Sequence, residues 1–222
     1  SNQGAYGVYL PILDDKIKQL LEDCCLAYFG DVLNKSTELF LAQKTQEAIL
    51  VLENVLAPCP SNALTYYTLG YYYLSSWDYT NAEINLNKAL EIDPKFYYAY
   101  KILSEIYVKK KNIEKAIFFA KKAVDINSFD ASNCHNLGIL LMLLERYSEA
   151  LPYFIKASTL EPNNTNYVYS LASIYRDNKM YIQAVQEYKR LSGLKDDYPN
   201  MHNDLAEIYA VLEKPDLALL EY

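Results

Sequence analysis

One pattern of apolar, small and aromatic residues recurs every 34 residues along most of this chain. It reads Tyr66-x-x-Leu69-Gly70-x-x-Tyr73 and continues with Ala82, Leu86, Ala89 and Pro94. Residues three and four positions apart lie on one face of an α-helix, so each segment predicts two amphipathic helices joined by a turn. One such pair cannot bury both of its faces, and stability therefore requires neighbouring pairs. Five segments carry the pattern, and they begin at Ala63, Tyr97, Ala131, Thr165 and Pro199.

Small residues recur at positions 8 and 20 of the repeat, where the two helices of a pair are expected to approach each other. A large side chain at either position would push the helices apart. The pairs are Gly70 with Ala82, Ser104 with Ala116, Gly138 with Ala150, Ala172 with Ala184, and Ala206 with Ala218.

Prolines mark several helix ends. Asp93-Pro94, Glu161-Pro162 and Cys59-Pro60 are expected to close second helices, because proline cannot continue the helical hydrogen bonding. Pro152 lies about one turn inside a second helix and predicts either a mild bend or a late start capped by Ser148. Lys214-Pro215-Asp216 places proline at a helix entrance, where it is well tolerated.

The spacing and the residue types resemble the tetratricopeptide repeat (TPR) family, whose repeat is also 34 residues long. The resemblance implies an all-α fold, a right-handed α-solenoid of stacked antiparallel helix pairs. It also implies a surface that holds another protein. The sequence does not identify that protein.

The repeat divides the chain into seven predicted segments. Residues 1–28 are predicted to contain an extended segment followed by an amphipathic helix. The helical pattern runs over 13–29 and is that expected of the second helix of a truncated repeat. A degenerate repeat follows, with Lys35 and Ser36 at positions expected to be Leu and Gly. It occupies 29–62, complete repeats occupy 63–96, 97–130, 131–164 and 165–198, and an incomplete one occupies 199–222. Because Tyr222 falls in the middle of a predicted helix, we expect this chain to be a piece of a longer repeat array.

Charge and cysteine content narrow the class of function. The net charge of −7 argues against non-specific nucleic-acid binding, which needs a basic surface. The four cysteines lack metal-ligand or disulfide-framework spacing, which favours reduced thiols. No run of apolar residues predicts a membrane span or signal peptide, so we expect an intracellular, cytoplasmic location without direct membrane insertion. The first residue is Ser1 rather than Met, which leaves open a targeting segment before it.

No pattern of residues indicates catalysis. The two histidines, His135 and His202, belong to no catalytic or metal-binding motif, and His202 occupies a repeat position usually given to a large core side chain. The chain has six glycines and no glycine-rich phosphate loop. We expect no enzyme activity, no cofactor and no metal site.

The candidate site is the concave groove that the first helices of TPR pairs line. In TPR arrays, positions 2, 5, 6, 9 and 12 of the first helix face this groove. Apolar side chains there point to an extended or helical apolar partner segment, with Lys101, Asn136 and Asn203 orienting it through polar contacts. The predicted binding residues are Tyr67, Tyr71, Tyr98, Lys101, Ile102, Glu105, His135, Asn136, Ile139, Met142, Tyr169 and Asn203.

Some TPR domains bind a C-terminal carboxylate in a clamp of Lys, Asn, Asn, Lys and Arg. Lys101 and Asn136 match two of these positions, but Glu105, Asn166 and Ser170 occupy the other three. A carboxylate would therefore lack two cations and meet Glu105. The clamp is rejected.

The sequence thus predicts a scaffold or adaptor that holds a protein or peptide partner. Three alternatives stay open. The chain could be a structural or self-associating subunit of a multiprotein assembly, including a homo-oligomer. It could select substrates for a larger enzyme. It could act as a chaperone for a secreted partner.

Overall fold

The structure is a computed structural model that describes residues 30–56, 62–195, 198 and 200–221. Within these ranges every regular element is an α-helix, and the predicted all-α fold of packed helix pairs is confirmed. In the part described from residue 62 onward, each first helix packs on the second helix that follows it. The helices are α1 (30–41), α2 (Thr45–Leu56), α3 (Ala63–Ser75), α4 (Tyr79–Ile92), α5 (Tyr97–Lys109), α6 (Ile113–Ile126), α7 (Ala131–Met142), α8 (Tyr147–Leu160), α9 (Thr165–Asp177), α10 (Tyr181–Leu194), α11 (Met201–Val211) and α12 (Pro215–Glu221).

The chain divides between Asp93 and Pro94 into two compact units. In the first, α1, α2 and α3 share a core that includes Leu52 and Leu69. The ring of Phe40 on α1 stacks on Tyr72 of α3, with 4.4 Å between the ring centres. Ser36 of α1 is fully buried, so the small residue of the degenerate repeat is enclosed by its neighbours.

The second unit contains α5 to α12, and its core follows the helix pairs. One cluster includes Leu137 and Phe154 of the α7–α8 pair and residues of the flanking helices. A second cluster includes Val168 of α9, Tyr188 of α10 and Leu205 of α11. First helices also pack on the preceding second helices, α7 on α6 and α9 on α8. Each pair is therefore covered by its neighbour, which is how short amphipathic helices reach stability.

Close approach of the helices explains the small residues at position 8. A Cβ atom added at Gly70 would lie 2.6 Å from Leu86 Cγ, and one at Gly138 would lie 2.9 Å from the ring carbon Cζ of Phe154. Both distances are shorter than carbon atoms tolerate. The steric reason inferred from the sequence is confirmed at these two positions.

Every described turn between a first and a second helix has one residue with left-handed backbone geometry. These residues are spaced 34 apart, with φ between 56° and 63°, and they are Gln43, Trp77, Lys111, Glu145, Lys179 and Glu213. Each turn closes with two backbone hydrogen bonds, for example Trp77 N–H to Leu74 O and Asp78 N–H to Tyr73 O. This is the Schellman arrangement, which usually uses glycine. No glycine occupies any of the six positions, so no residue in the sequence indicated this left-handed geometry.

Asparagine and aspartate side chains fix several helix starts. Asn62, Asp130 and Asn164 each accept a hydrogen bond from a backbone N–H in the first turn of a first helix. Asp78 and Asn112 do the same for second helices. These caps satisfy N–H groups that have no partner inside the helix.

Three of the predicted helix limits are confirmed and one is wrong. Helices α4 and α8 end before Pro94 and Pro162, and α12 begins at Pro215. A late start of α8 with Ser148 as its cap is wrong, because α8 begins at Tyr147 and contains Pro152. Pro152 is the sixth residue of α8, so it removes the hydrogen bond to the Ser148 carbonyl and its ring crowds that carbonyl, a local cost that α8 bears.

The expected core position of His202 is also wrong. His202 is exposed, and the neighbouring Met201 is fully buried in its place. Asn200, the residue before α11, has φ of 63°, and Met201 then begins the helix facing the core. The predicted helix at 13–29 and the stop at Cys59-Pro60 lie outside the described residues.

Candidate functional site

Helices α5 and α7 form the walls of a concave groove of about 380 Å³, which we call the α5–α7 groove. Its apolar lining comes from both helices and includes side chains that remain partly exposed. Leu143, at the end of α7, is 60% exposed. The lining residues are Lys101, Ile102, Ser104, Glu105, Val108, Lys109, Asn136, Ile139, Leu140 and Leu143.

Five of the predicted binding residues meet in this groove. Lys101, Ile102 and Glu105 come from α5, and Asn136 and Ile139 come from α7. Ile102 and Ile139 are half-buried, whereas Glu105 and Asn136 are exposed. Apolar side chains that keep solvent contact inside a concavity are the usual anchors for a bound segment.

The Lys101 ammonium group is held by an ion pair. Its Nζ atom lies 3.3 Å from Oδ2 of Asp130. The other carboxylate oxygen of Asp130 accepts a hydrogen bond from the backbone N–H of Asn133 at 3.0 Å and so caps α7. One carboxylate therefore starts α7 and fixes the lysine of α5 against it. The sequence placed Lys101 in the groove but did not indicate this pairing.

A small recess of about 30 Å³ adjoins the groove at Lys101, Ser104 and Asn136, and we call it the Asn133 recess. It reaches Ala120 and Ala123 of α6 beneath the two groove helices. Asn133 is 3% exposed, and its Nδ2 amide group has no hydrogen-bond partner. Ser104 is also buried, and its hydroxyl donates to the carbonyl of Ala116 at 2.9 Å.

Two more predicted residues of α7 lie near the groove and contact other groups. His135 Nε2 is 2.8 Å from the Ser170 hydroxyl oxygen of α9, and its ring lies 4.7 Å from that of Tyr167. Burial lowers the pKa of His135, because a charged imidazolium loses hydration there. Met142 is half-buried against the core cluster of α7 and α8.

Tyr169 belongs to a buried polar network between α9, α10 and α11. Its hydroxyl donates to Asp204 Oδ2 at 3.0 Å, and the Tyr188 hydroxyl donates to the same oxygen at 2.7 Å. Arg176 forms an ion pair with Asp204 Oδ1. The fourth member, Asp204, is 8% exposed, so its carboxylate is enclosed by this network. Asn203, beside it, is exposed on α11.

The remaining predicted residues are placed elsewhere. Tyr98 is 45% exposed near the start of α5, and its ring lies 4.1 Å from that of Tyr97. Tyr67 and Tyr71 belong to α3 of the first unit. Tyr67 is half-buried, and Tyr71 is 41% exposed with its ring 5.7 Å from Phe40. These three residues stay predicted contacts.

Five residues of α5 and α7 that line the groove or the recess lie outside the assumed groove positions. One of them, Ser104, occupies position 8. Lys109 and Leu143 share position 13 of the repeat, one residue beyond the last assumed position. Leu140 occupies position 10. Asn133 occupies position 3, which the helical period assigns to the packed side. Only Leu143 carried a sequence signal, since it is an apolar residue next to a turn.

Among the described residues no three His, Cys, Asp or Glu side chains cluster in a way that could hold a metal ion. Cys134 is buried with a free thiol, and burial raises its pKa. In the same ranges every helix is too short or too polar to cross a membrane.

Comparison with known proteins agrees with the repeat. The tetratricopeptide repeat family model matches residues 63–96, 97–130 and 131–164. Anaphase-promoting complex subunit 3 of Schizosaccharomyces pombe is 24% identical over 207 residues, 93% of this chain and 31% of that protein. Type IV pilus assembly protein PilF of Pseudomonas aeruginosa is 28% identical over 145 residues, 64% of this chain and 58% of that protein. The chain thus spans less than two thirds of either relative.

Solved structures share the fold. YrrB, described as a TPR protein with an unusual peptide-binding site, has a TM-score of 0.71 and 22% identity, over 77% of this chain and 88% of YrrB. Pseudomonas aeruginosa pilF has a TM-score of 0.69 and 18% identity, over 90% of each chain. The 34-residue signature, the packed helix pairs and these matches lead to one conclusion: residues 63–164 are three consecutive tetratricopeptide repeats, in a chain that shares its fold with TPR proteins.

Proposed function

We propose that the α5–α7 groove binds an apolar segment of a partner polypeptide. The observation that carries this proposal is the apolar lining of a concave surface by Ile102, Val108, Ile139 and Leu143. Each partner side chain fully buried against such a lining contributes roughly 1.5–3 kcal/mol. A few anchors in a preformed groove therefore suffice for specific binding, without a large interface.

The family supports a protein-interaction scaffold role in general. TPR proteins are generally adaptors without catalytic activity, and the structural neighbour YrrB is described as having a peptide-binding site. We extend this to the present chain and propose that it is a non-enzymatic, intracellular adaptor that uses no cofactor. Its net charge of −7 supports a protein partner over a nucleic acid, because phosphate backbones need a basic surface.

The Ile102→Asp variant tests the proposal. Ile102 is half-buried and lines the groove, where its side chain keeps solvent contact, so a carboxylate there changes the groove more than the fold. Ile182→Asp is the matched control, because Ile182 is 68% exposed on α10 and lies outside the groove lining. Wild type and both variants serve as bait in a native lysate, and captured proteins are quantified by mass spectrometry.

We expect at least one protein to be captured by wild type and Ile182→Asp and lost with Ile102→Asp. Circular dichroism checks that all three chains are equally helical. Identical capture by all three would place binding elsewhere and overturn the groove assignment. Loss with both variants would indicate a general effect of surface charge instead.

A second candidate function is a structural subunit of a multiprotein assembly. It is favoured by the relatives' names, which include anaphase-promoting complex subunit 3 and BBSome complex member BBS4 of Bos taurus. Self-association into a homo-oligomer is part of this candidate. Light scattering over a hundredfold concentration range tests it, since a mass that stays at 25.6 kDa would rule out self-assembly of this chain.

A further inference from the structure

The Asn133 recess differs from the rest of the groove because its polar groups point to a ligand of definite chemistry. Asn133 is almost fully buried, yet its Nδ2 amide donor has no partner. A buried donor without an acceptor costs free energy, so proteins rarely keep one unless another group satisfies it. The recess opens where Lys101 and Asn136 border the groove, so a bound segment can reach it from there.

The recess is deep enough that a side chain of the bound segment reaches its bottom, whereas the main chain of that segment does not. Its walls include Ala120 and Ala123 of α6, which lie beneath the helices that line the groove. A main-chain carbonyl has backbone on both sides and stays at the groove surface, whereas the end of a side chain can extend downward. The volume of about 30 Å³ accommodates about two water-sized groups, the size of a primary amide.

The charges around the recess favour a neutral group over a carboxylate. Lys101 is already paired with Asp130 at 3.3 Å, so the two together contribute no net charge. A carboxylate in the recess would compete with Asp130 for the ammonium group and would lose hydration, with Glu105 also lining the groove. A neutral amide avoids both costs.

The available hydrogen-bonding groups match both ends of an amide. The Nδ2 group of Asn133 and the free protons of Lys101 can donate to an amide oxygen. The Ser104 hydroxyl donates to Ala116, which leaves its oxygen free to accept from an amide NH₂ group. A hydrocarbon side chain would satisfy none of these groups.

We propose that the Asn133 recess is a specificity subsite that binds the side-chain amide of an asparagine or glutamine of the partner segment. This inference rests on the proposed function of the α5–α7 groove and adds a sequence requirement to it. The partner combines apolar anchors in the groove with one Asn or Gln at a fixed distance from them.

A random dodecapeptide library displayed on phage tests the α5–α7 groove and the Asn133 recess in one experiment. The library is selected in parallel on the full chain, on Asn133→Leu and on Ile102→Asp. We expect wild type to enrich peptides with apolar residues and an Asn or Gln at constant spacing. Asn133→Leu should keep the apolar preference and lose the amide preference, and Ile102→Asp should enrich no common pattern.

The outcomes separate the two proposals. Apolar residues enriched by wild type without an amide, or with Asp or Glu in its place, would overturn the subsite and leave the groove standing. An amide preference that persists in Asn133→Leu would also overturn it. The same enrichment on wild type and Ile102→Asp, or no enrichment on wild type, would overturn the groove itself.

A second measurement does not depend on the fold of a variant. Calorimetry on the wild-type chain compares an enriched peptide with versions in which its Gln or Asn becomes Leu or the corresponding acid. We expect each change to weaken binding about tenfold, the effect of losing hydrogen bonds to buried partners. Equal affinities for all three peptides would mean that the recess holds solvent only, and would overturn the subsite.

Discussion

The α5–α7 groove and the contact between α9 and α11 use the same repeat positions and reach opposite results. In the first, Val108 and Asn136 face an open concavity. In the second, the equivalent residues are Arg176 and Asp204, and they form an ion pair. Tyr169 and Tyr188 add hydrogen bonds to Asp204 and complete the network. The position in the repeat therefore predicts which way a side chain faces. The side chains of the adjacent repeat determine whether it stays accessible.

Burial and the neighbouring groups together set the ionisation state of the network. Burial raises the pKa of the Tyr188 hydroxyl, and the hydrogen bond to Asp204 adds to the effect. Burial also opposes the charged form of Arg176, but the nearby Tyr188 and Asp204 outweigh it and raise the Arg176 pKa. Tyr188 thus stays a donor and Arg176 a cation, which is the state that holds Asp204 between them.

The largest expected effect is the loss of this network in Asp204→Ala. Removing the carboxylate takes an acceptor from two tyrosine hydroxyls and leaves Arg176 with Asp177 as its remaining ion-pair partner, which should lower the free energy of unfolding by about 3 kcal/mol. Urea denaturation followed by circular dichroism measures it. Glu105→Gln is the control in the open groove, where Glu105 is exposed, and it should change stability by less than about 0.5 kcal/mol. Equal losses would show that the two regions do not differ as described.

Next in size is the transfer of the ion pair into the open groove. The double variant Val108→Arg with Asn136→Asp places Arg and Asp at the positions that Arg176 and Asp204 occupy in the closed contact. The pair should fill the groove and weaken binding of groove-selected peptides by about tenfold or more. Isothermal calorimetry measures the affinity. The single variants serve as controls in a double-mutant cycle, and wild-type affinity in the double variant would contradict the importance of an open groove.

A smaller effect is expected where the two regions are alike. Lys111 and Lys179 occupy equivalent turns with φ of 58° and 60°. Left-handed geometry costs a residue with a Cβ atom about 1 kcal/mol relative to glycine. Lys111→Gly and Lys179→Gly should each raise the free energy of unfolding by about that amount, measured by urea denaturation. Alanine at either site retains the Cβ atom and should give no gain.

The smallest expected effect is a pH dependence beside the open groove. Burial lowers the pKa of His135 in the folded chain, so the unfolded chain binds the proton more readily. The stability linked to His135 is present above its unfolded pKa of about 6.5 and is lost as the pH falls. In His135→Gln the thermal midpoint should fall less between neutral and mildly acidic pH. An equal fall of the thermal midpoint in wild type and His135→Gln would contradict the contribution of His135.

Much of the fold could be predicted because the repeat is a local pattern. The spacing of Leu69, Leu103 and Leu137 gave the helix faces, and the prolines at 94 and 162 gave the helix ends. Gly70 and Gly138 identified the closest helix contacts. The prediction was wrong for His202, because the left-handed Asn200 before α11 turns Met201 to the core instead. The six left-handed turns had no glycine to indicate them.

The candidate site was predictable only in part. The groove positions implied by the TPR resemblance placed Lys101, Ile102, Glu105, Asn136 and Ile139 on one surface, and the structure brings these five into one groove. The sequence could not indicate that Lys101 is paired with Asp130, 29 residues away. Nor did it single out Asn133, whose side chain borders the recess next to the groove.

The sequence by itself determined the helices, their pairing and the direction in which each repeat position faces, because these depend on residues within one repeat. Only the tertiary structure decided which polar groups are free. That depends on side chains from consecutive repeats, such as Arg176 with Asp204 and Lys101 with Asp130. Their distance in space is set by helix packing, and no periodicity along the chain encodes it.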